Sequence, residues 1–269
     1  MLEMTKIFLK IAEFLYLHGL KLQIVTPDLT HMCFTVAIHA SREEIEKRFD
    51  AGFEEPDIFI PGYYFSAFIF PKLPVITGKD SHMIRMYNWG LIPSWVKDES
   101  YAEGIRTKTF NAKSETITEK PSFRNAVRTN RCLVLSKGFF EWQKRENEKI
   151  PYYIGLEDDQ LFAFAGLYDT WANPVTGELN NTFTIITTSA NPLLAEIHNT
   201  KQRMPVILPR EREQDWINPG IPLNNALELL VSYDQEKMKA WTISRLISTP
   251  GAIKNIPQVI EPFEYGNKK

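Results

Sequence analysis

Four stretches of this chain carry side chains whose types and spacing suit chemistry. The first is Met32-Cys33-Phe34-Thr35. Cysteine is small enough for a preceding methionine to be removed, and a chain beginning at Cys33 would carry a 1,2-aminothiol. The amine titrates near ~8 and the thiol near ~8.5, so both are partly nucleophilic at neutral pH. An aldehyde meeting this pair forms an imine, and the adjacent thiol closes a five-membered thiazolidine. An internal cysteine has an amide in place of the amine and cannot do this. The second stretch is Phe110-Asn111-Ala112-Lys113-Ser114-Glu115-Thr116, where an asparagine beside basic residues can orient an amine and a phosphate; a loop cap accounts for it equally well. The third is Gly138-Phe139-Phe140-Glu141-Trp142. A carboxylate between bulky apolar neighbours is costly to bury unless paired or protonated, and a raised pKa suits a general acid/base. The bland alternative is a strand glutamate facing water. The fourth is Ile197-His198-Asn199, followed by Lys201-Gln202-Arg203-Met204-Pro205. A histidine there can exchange protons near pH 7 or serve as a hydrogen-bonded structural residue.

The elements that must position these residues are mostly strands. Residues 32–39, 63–70, 73–76, 82–91, 133–135, 139–144, 152–156, 162–168, 183–188, 204–208 and 238–244 read as strands, with polar hairpin tips at 144–149 and 173–181. Ser41-Arg42-Glu43-Glu44 is a capping box that opens a helix over 43–49. Short helices are expected at 192–197, 210–216 and 223–230, and residues 114–127 are compatible with one. The whole predicts an α+β fold: one domain with a strand-rich, barrel-like, mostly antiparallel sheet and a few short flanking helices. That domain spans residues 32–249. Residues 1–31 form an N-terminal extension, too charged and too short to span a membrane, with the spacing of an amphipathic helix, a removed leader or an early-called start. Residues 250–269 are expected to be a polar, poorly ordered tail.

The formal net charge of −2 leaves nucleic acid or acidic partners to a local patch. Residues 104–131 supply one: Arg106, Lys108, Lys113, Lys120, Arg124, Arg128 and Arg131 face only Glu115 and Glu119. It reads either as a solvated face or as a phosphate-tracking groove, with Trp95, Phe110 and Phe123 near enough in sequence to stack bases. The chain has two cysteines, which argues for a reducing compartment and against a disulfide scaffold. Cys132, in Arg131-Cys132-Leu133-Val134-Leu135, reads as a small buried hydrophobe. No metal-ligand spacing, P-loop or dinucleotide fingerprint is present, so no metal and no cofactor is expected.

In order along the chain, Met32-Cys33, Trp89-Gly90, Pro93-Ser94-Trp95, Asn111-Ala112-Lys113-Ser114-Glu115-Thr116, Gly138-Phe139-Phe140-Glu141-Trp142 and His198 before Arg203-Met204-Pro205 together resemble the SRAP family, the SOS-response-associated peptidases or abasic-site processing proteins. The resemblance implies binding of single-stranded DNA that contains an abasic site, whose ring-opened sugar aldehyde is trapped as a thiazolidine. It assigns Cys33 as nucleophile, Asn111 to position its amine, Glu141 as acid/base and His198 to assist sugar ring opening. Lys113, Trp95 and Arg203, with Ser114 and Trp89, would lie along the DNA path. It also implies autoproteolysis of residues ahead of the cysteine. The chain departs from the family where Cys-Gly-Arg becomes Cys33-Phe34-Thr35, where Asn-Ala-Arg becomes Asn111-Ala112-Lys113, and where a Tyr-Asn-x-Ala-Pro segment becomes Tyr64-Phe65-Ser66-Ala67-Phe68. Lysine keeps the charge and loses the bidentate fork.

Three functions follow: an abasic-site crosslinking enzyme, a cysteine peptidase that removes its own leader, or a single-stranded DNA-binding module without chemistry. A monomer is expected, in the cytoplasm and on the nucleoid when bound to DNA, with no membrane partner.

Overall fold

The runs at 133–135 and 162–167 lack polar residues at alternate positions, the pattern of strands covered on both faces. In the computed structural model, which describes residues 34–266, both runs lie in a closed barrel. The described strands are β1 (Thr35–Ile38), β2 (Gly52–Phe53), β3 (Gly62–Ser66), β4 (Lys72–Thr77), β5 (Asp80–Trp89), β6 (Asn111–Lys113), β7 (Arg131–Ser136), β8 (Gly138–Arg145), β9 (Glu148–Leu156), β10 (Phe162–Ala172), β11 (Leu179–Ser189), β12 (Arg203–Pro205), β13 (Ile207–Leu208) and β14 (Met238–Thr242). The helices are α1 (Arg42–Phe49), α2 (Glu99–Arg106), α3 (Ala126–Thr129), α4 (Pro192–Ile197), α5 (Glu213–Ile217) and α6 (Leu223–Leu227).

The barrel runs β5-β4-β7-β10-β11, antiparallel throughout, and closes where β11 meets β5 in parallel at Thr182 and Phe183. A second, antiparallel sheet has the order β14-β9-β8-β1-β3. Period-two alternation divides the barrel side chains between two cores. Cys132, Val134, Phe162 and Phe164 join Val36, Phe139 and Ile154 of the second sheet. Leu133, Leu135, Ala163, Ala165 and Leu167 join Ile45 and Phe49 of α1 and Trp216 of α5. Full burial of each such side chain stabilises by roughly 1.5–3 kcal/mol. Cys132 is completely buried, and desolvation pushes its thiol well above its ordinary value, as a core cysteine requires.

The Ser41 capping box is present: Ser41 Oγ accepts from the Glu44 N–H, and Glu44 accepts from the Ser41 N–H. Several expectations need correction. Residues 114–127 are not a helix. A 3-10 turn at Ser114–Thr116 and the single turn of α3 flank a run of turns, because Pro121 has no N–H to donate and Thr116, Ile117 and Thr118 are β-branched. The strand expected over 63–70 ends at Ser66 and folds into a 3-10 turn, Ala67–Ile69. Residues 250–266 are not a loose tail: Val259 is completely buried, Asn255 accepts from the Tyr63 N–H, and the Ile260 carbonyl accepts from the Trp241 indole. Their apolar residues cover the second sheet without any regular period. Helix α2 had no counterpart in the sequence pattern; Asp98 caps it by accepting from the Tyr101 N–H at 2.7 Å. The expectation for residues 1–31, and those for Met32 and Cys33, lie outside the described residues.

Arg131, counted with the basic stretch, is a structural cation. It is buried and donates to the carbonyls of Trp216 and Asn218 at 2.6 Å and of Val127 and Arg128 at 3.2 Å, tying α3 and β7 to the end of α5. Phe110 and Phe123, taken as base-stacking rings, are likewise core residues. Arg131→Met strands those carbonyls and is expected to lower unfolding stability by about 2–4 kcal/mol, measured by urea titration.

Candidate active site

Glu141 sits on β8, a strand paired to β1 on one side and β9 on the other. Val36 lies opposite Phe139 and Ala37 opposite Gly138, so β1 runs at its N-terminal end toward Phe140 and Glu141. Gly138 is required by close packing, since a Cβ there would meet the Tyr153 hydroxyl at 2.1 Å. His198 comes from the other direction. Asn191 caps α4 by accepting from the Leu194 N–H, Pro192 fills the first turn, and the helix ends at His198.

Three hydrogen bonds stitch the end of α4 to β8 on either side of the pair. The Gln143 side chain donates to the Glu196 carbonyl at 3.0 Å. Asn199 accepts from the Lys144 N–H at 3.0 Å and donates to the Lys144 carbonyl at 2.9 Å. The result is a contact of 3.7 Å between His198 Nδ1 and Glu141 Oε1, with each side chain about 5% exposed.

This contact is not an ion pair at neutral pH. Desolvation pushes the Glu141 carboxyl up to about 8, against a smaller opposing effect of the Trp142 backbone N–H. Desolvation also lowers His198, with the Arg203 carbonyl pulling the other way and the charges of Lys201 and Arg203 adding to the lowering. Both groups are therefore neutral. The Arg203 carbonyl lies 3.0 Å from His198 Nδ1, and a carbonyl only accepts, so the proton sits on Nδ1 and Nε2 keeps its lone pair. Among the described residues Glu141 Oε1 accepts no hydrogen bond. A carboxyl that holds a proton near pH 7 stands beside an imidazole with a free basic nitrogen, which is equipment for delivering one proton and removing another.

Asn111 reaches the same region through β6, which runs parallel to β11 with Asn111 opposite Ile185 and Lys113 opposite Thr187. Asn111 is buried, and the preceding Phe110 ring meets the Phe34 ring at 5.8 Å in an edge-on contact. Arg203 links this motif to the histidine. Its guanidinium forms a bidentate pair with Glu115 at 2.5 and 2.9 Å and donates to the Thr187 carbonyl at 2.7 Å, while its own carbonyl takes the His198 proton. Glu141 and His198 are thus in contact near the Phe34 end of β1, and Asn111 follows Phe110, whose ring meets that of Phe34.

The residues placed on a DNA path divide into two sets. Lys113 and Trp95 are exposed, and Ser114 is half-buried. The Trp95 loop is anchored from below: Ser94 N–H donates to Asp169, Ile92 N–H to Thr182, and the Trp171 indole to the Val96 carbonyl. Arg203 is committed to Glu115 and Thr187. Trp89 is completely buried, stacked on Phe183, with its indole donating to the Phe110 carbonyl at 2.9 Å; it supports the site and has no surface for a base. Sequence reasoning passed over Glu115 as a functional group, because its partner Arg203 is 88 residues away and no local pattern joins them.

Residues 32–250 match the family described as SOS response associated peptidase (SRAP). The chain is 38% identical over 237 residues to the abasic site processing protein YoqW of Bacillus subtilis (strain 168), covering 86% of this chain and 99% of that one. It is 36% identical over 168 residues to the abasic site processing protein HMCES of Xenopus tropicalis, covering 55% of this chain and 49% of that protein. The crystal structure of a protein from Bacteroides thetaiotaomicron, 39% identical, superposes with a TM-score of 0.81 over 86% of this chain and all of the other.

The raised Glu141 carboxyl makes stability depend on pH with a definite sign. Between 4.5 and about 8 the folded protein holds a proton that the unfolded chain has released, so stability falls as pH rises through that window and levels off above it. Glu141→Gln removes the titration. Melting the two proteins side by side should show the variant gaining on the parent by at most about 1.4 kcal/mol per pH unit, with the gap constant above about pH 8.

Proposed function

The chain belongs to the SOS response associated peptidase (SRAP) family, and on that premise we propose that it traps abasic sites in single-stranded DNA as a covalent thiazolidine on Cys33. The observation that carries this is the neutral Glu141–His198 pair, buried at the end of β1 from which Cys33 continues. The relatives named abasic site processing proteins support the substrate class. The proposal requires that the mature chain start at Cys33, with residues 1–32 absent or removed.

The chemistry runs in balanced steps. His198 Nε2 takes the proton of the sugar's anomeric hydroxyl and returns it to the ring oxygen as the ring C–O bond breaks and the aldehyde forms. The Cys33 amine, oriented by Asn111, adds to that carbon. One amine proton passes to the carbonyl oxygen, the protonated Glu141 carboxyl gives its proton to the hydroxyl so formed, which leaves as water, and the Glu141 carboxylate takes back the remaining N–H proton, so that an imine remains. The thiol sulfur then attacks the imine carbon, its proton passes to the nitrogen, and the five-membered ring closes. Closure also protects the strand: an imine acidifies the neighbouring C–H and drives elimination of the phosphate, whereas a thiazolidine has no C=N to accept those electrons. Lys113 and Trp95 would hold the flanking phosphates and bases.

A second use of the same groups is peptide-bond cleavage, favoured by the family's description as a peptidase. There the Cys33 thiol would attack the carbonyl of residue 32, the peptide C–N bond would break to give a thioester and the free amine that the first reaction needs, and water would then hydrolyse the thioester to release the leader, with Glu141 and His198 moving the protons.

The test is incubation of the purified protein, its first residue fixed by intact mass, with an abasic-site oligonucleotide. An adduct that survives denaturing electrophoresis is expected, and Cys33→Ala should abolish it. Detection of a stable adduct with Cys33→Ala, or of none with a protein beginning at Cys33, would overturn the assignment. The crosslinking rate is expected to rise toward about pH 8 as the amine loses its proton, and to fall above it as Glu141 ionises. Glu141→Gln should be slower by about 10- to 1000-fold and should lack the alkaline fall.

A further inference from the structure

Arg106, the last residue of α2, has no role in the chemistry above, yet its surroundings are unlike those of the other cations in the basic stretch. Lys108, Lys113, Lys120, Arg124 and Arg128 are exposed, and Arg131 is fully paired. Arg106 is half-buried, and its Nε and one terminal nitrogen are shut off from solvent without a hydrogen-bond partner among the described residues. No carboxylate among them pairs with it either. The guanidinium carbon lies over the Phe70 ring, 4.1 Å from its centroid.

That ring is held in place at some expense. Phe70 has φ 50° and ψ 51°, a left-handed conformation that a bulky residue rarely adopts, where it closes the 3-10 turn with its N–H on the Ala67 carbonyl. The same turn fixes the start of β1, because the Ala67 N–H donates to the Phe34 carbonyl at 2.8 Å. Phe34, Phe68, Phe70 and Phe110 form one aromatic cluster with centroid separations of 5.1–5.8 Å. Gly90 completes the seat: its φ of +100° suits glycine, and a Cβ there would meet Arg106 Cγ at 2.7 Å. The Phe70 turn and the Gly90 backbone therefore hold one guanidinium at the end of α2, and the Phe70 ring connects it through Phe110 to Phe34 at the start of β1. A cation–π contact alone returns less than the desolvation of an unpaired guanidinium costs, so the arrangement makes sense when an anion completes it. Helix α2 also carries Tyr101, half exposed, 6.0 Å from the exposed Trp95 ring, which aligns the helix with a surface suited to bases.

We propose that Arg106 is a phosphate-binding residue, seated on Phe70 and Gly90, that takes the DNA backbone phosphate adjoining the nucleotide held at the Phe34 end of β1. The proposal rests on the single-stranded DNA substrate class above, and not on the crosslinking step.

The test separates the two. In a Cys33→Ser background, which cannot form the adduct, binding to an undamaged fluorescent oligonucleotide is measured by anisotropy from about 50 to about 300 mM salt. Arg106→Gln is expected to weaken binding by about 3- to 10-fold at low salt and to reduce the slope of log Kd against log salt by about 0.7, the value for one phosphate on a single strand. Arg106→Lys should restore the slope and only part of the affinity. The melting temperature of Arg106→Gln should equal or exceed that of its parent, since an unpaired buried charge has been removed. An unchanged slope with Arg106→Gln overturns the proposal. So does a lowered melting temperature accompanied by weaker binding that Arg106→Lys does not correct, which marks a structural cation. If Arg106→Gln shows the expected slope change and yet the unmutated chain, beginning at Cys33, gives no adduct, the phosphate role stands and the crosslinking assignment falls.

Discussion

Taking a carboxyl out of water disfavours its ionised form by several kcal/mol unless a charge or a set of donors replaces the solvent. At Glu141 the replacement is deliberately thin. The Trp142 N–H partly compensates, and the nearest polar neighbour is an imidazole that is itself neutral. Among the described residues no guanidinium or ammonium is paired with it. The group therefore keeps its proton to about pH 8, and the energetic penalty is carried by the packing around it. That packing is dense: Phe139 and Phe140 precede it on β8, both completely buried, and the hydrogen bonds from Gln143, Lys144 and Asn199 prevent α4 from drifting away and admitting water. The acid/base character of the site is a consequence of how firmly α4 is fastened to β8.

The same logic explains which parts of the fold are legible in the residues alone. The capping box at Ser41, the proline-started helix at Pro192 and the long barrel strands are encoded locally, by caps, turn residues and runs of apolar side chains, and each forms where those signals put it. Glu141 is legible as well, because a lone carboxylate among Phe139, Phe140 and Trp142 has few stable environments. The failures share a cause. Residues 250–266 look polar and aperiodic, yet they pack by matching single apolar side chains to hollows in a sheet that is distant in sequence. Arg131 looks like surface charge and is instead a fourfold carbonyl ligand, a role set by where α5 ends. Trp89, Phe110 and Phe123 look like an aromatic platform, and all three are buried, Trp89 and Phe110 in the core on one face of the barrel wall and Phe123 in the core on the other. In each case the deciding partner lies far along the chain, so no window of local sequence contains it.

The site itself falls where the ladder of β11 changes partners. From Leu179 to Ile185 this strand is paired with β10 on one edge, and at Thr182 and Phe183 with β5 on the other. Beyond that point the barrel strands splay apart. The segment containing β12 and β13 enters between β10 and β11, with β12 opposite Thr187–Ser189 and β13 opposite Ala163 and Phe164. On the opposite edge β6 takes over from β5 at Ile185–Thr187. Two- and three-residue strands have no stability of their own and form only because the splayed edges leave N–H and C=O groups that must be satisfied. β6 delivers Asn111 and Lys113, and β12 follows His198 and delivers Arg203, so the motifs fill the gaps along the two edges of β11. Arg203 then reaches across β11, joining Glu115 on one edge to His198 on the other through Thr187 of β11 itself. A loop motif in the sequence becomes a strand in the fold for this reason: the backbone of Asn111–Lys113 completes the barrel's hydrogen bonding, while the side chains at the mouth are left to chemistry.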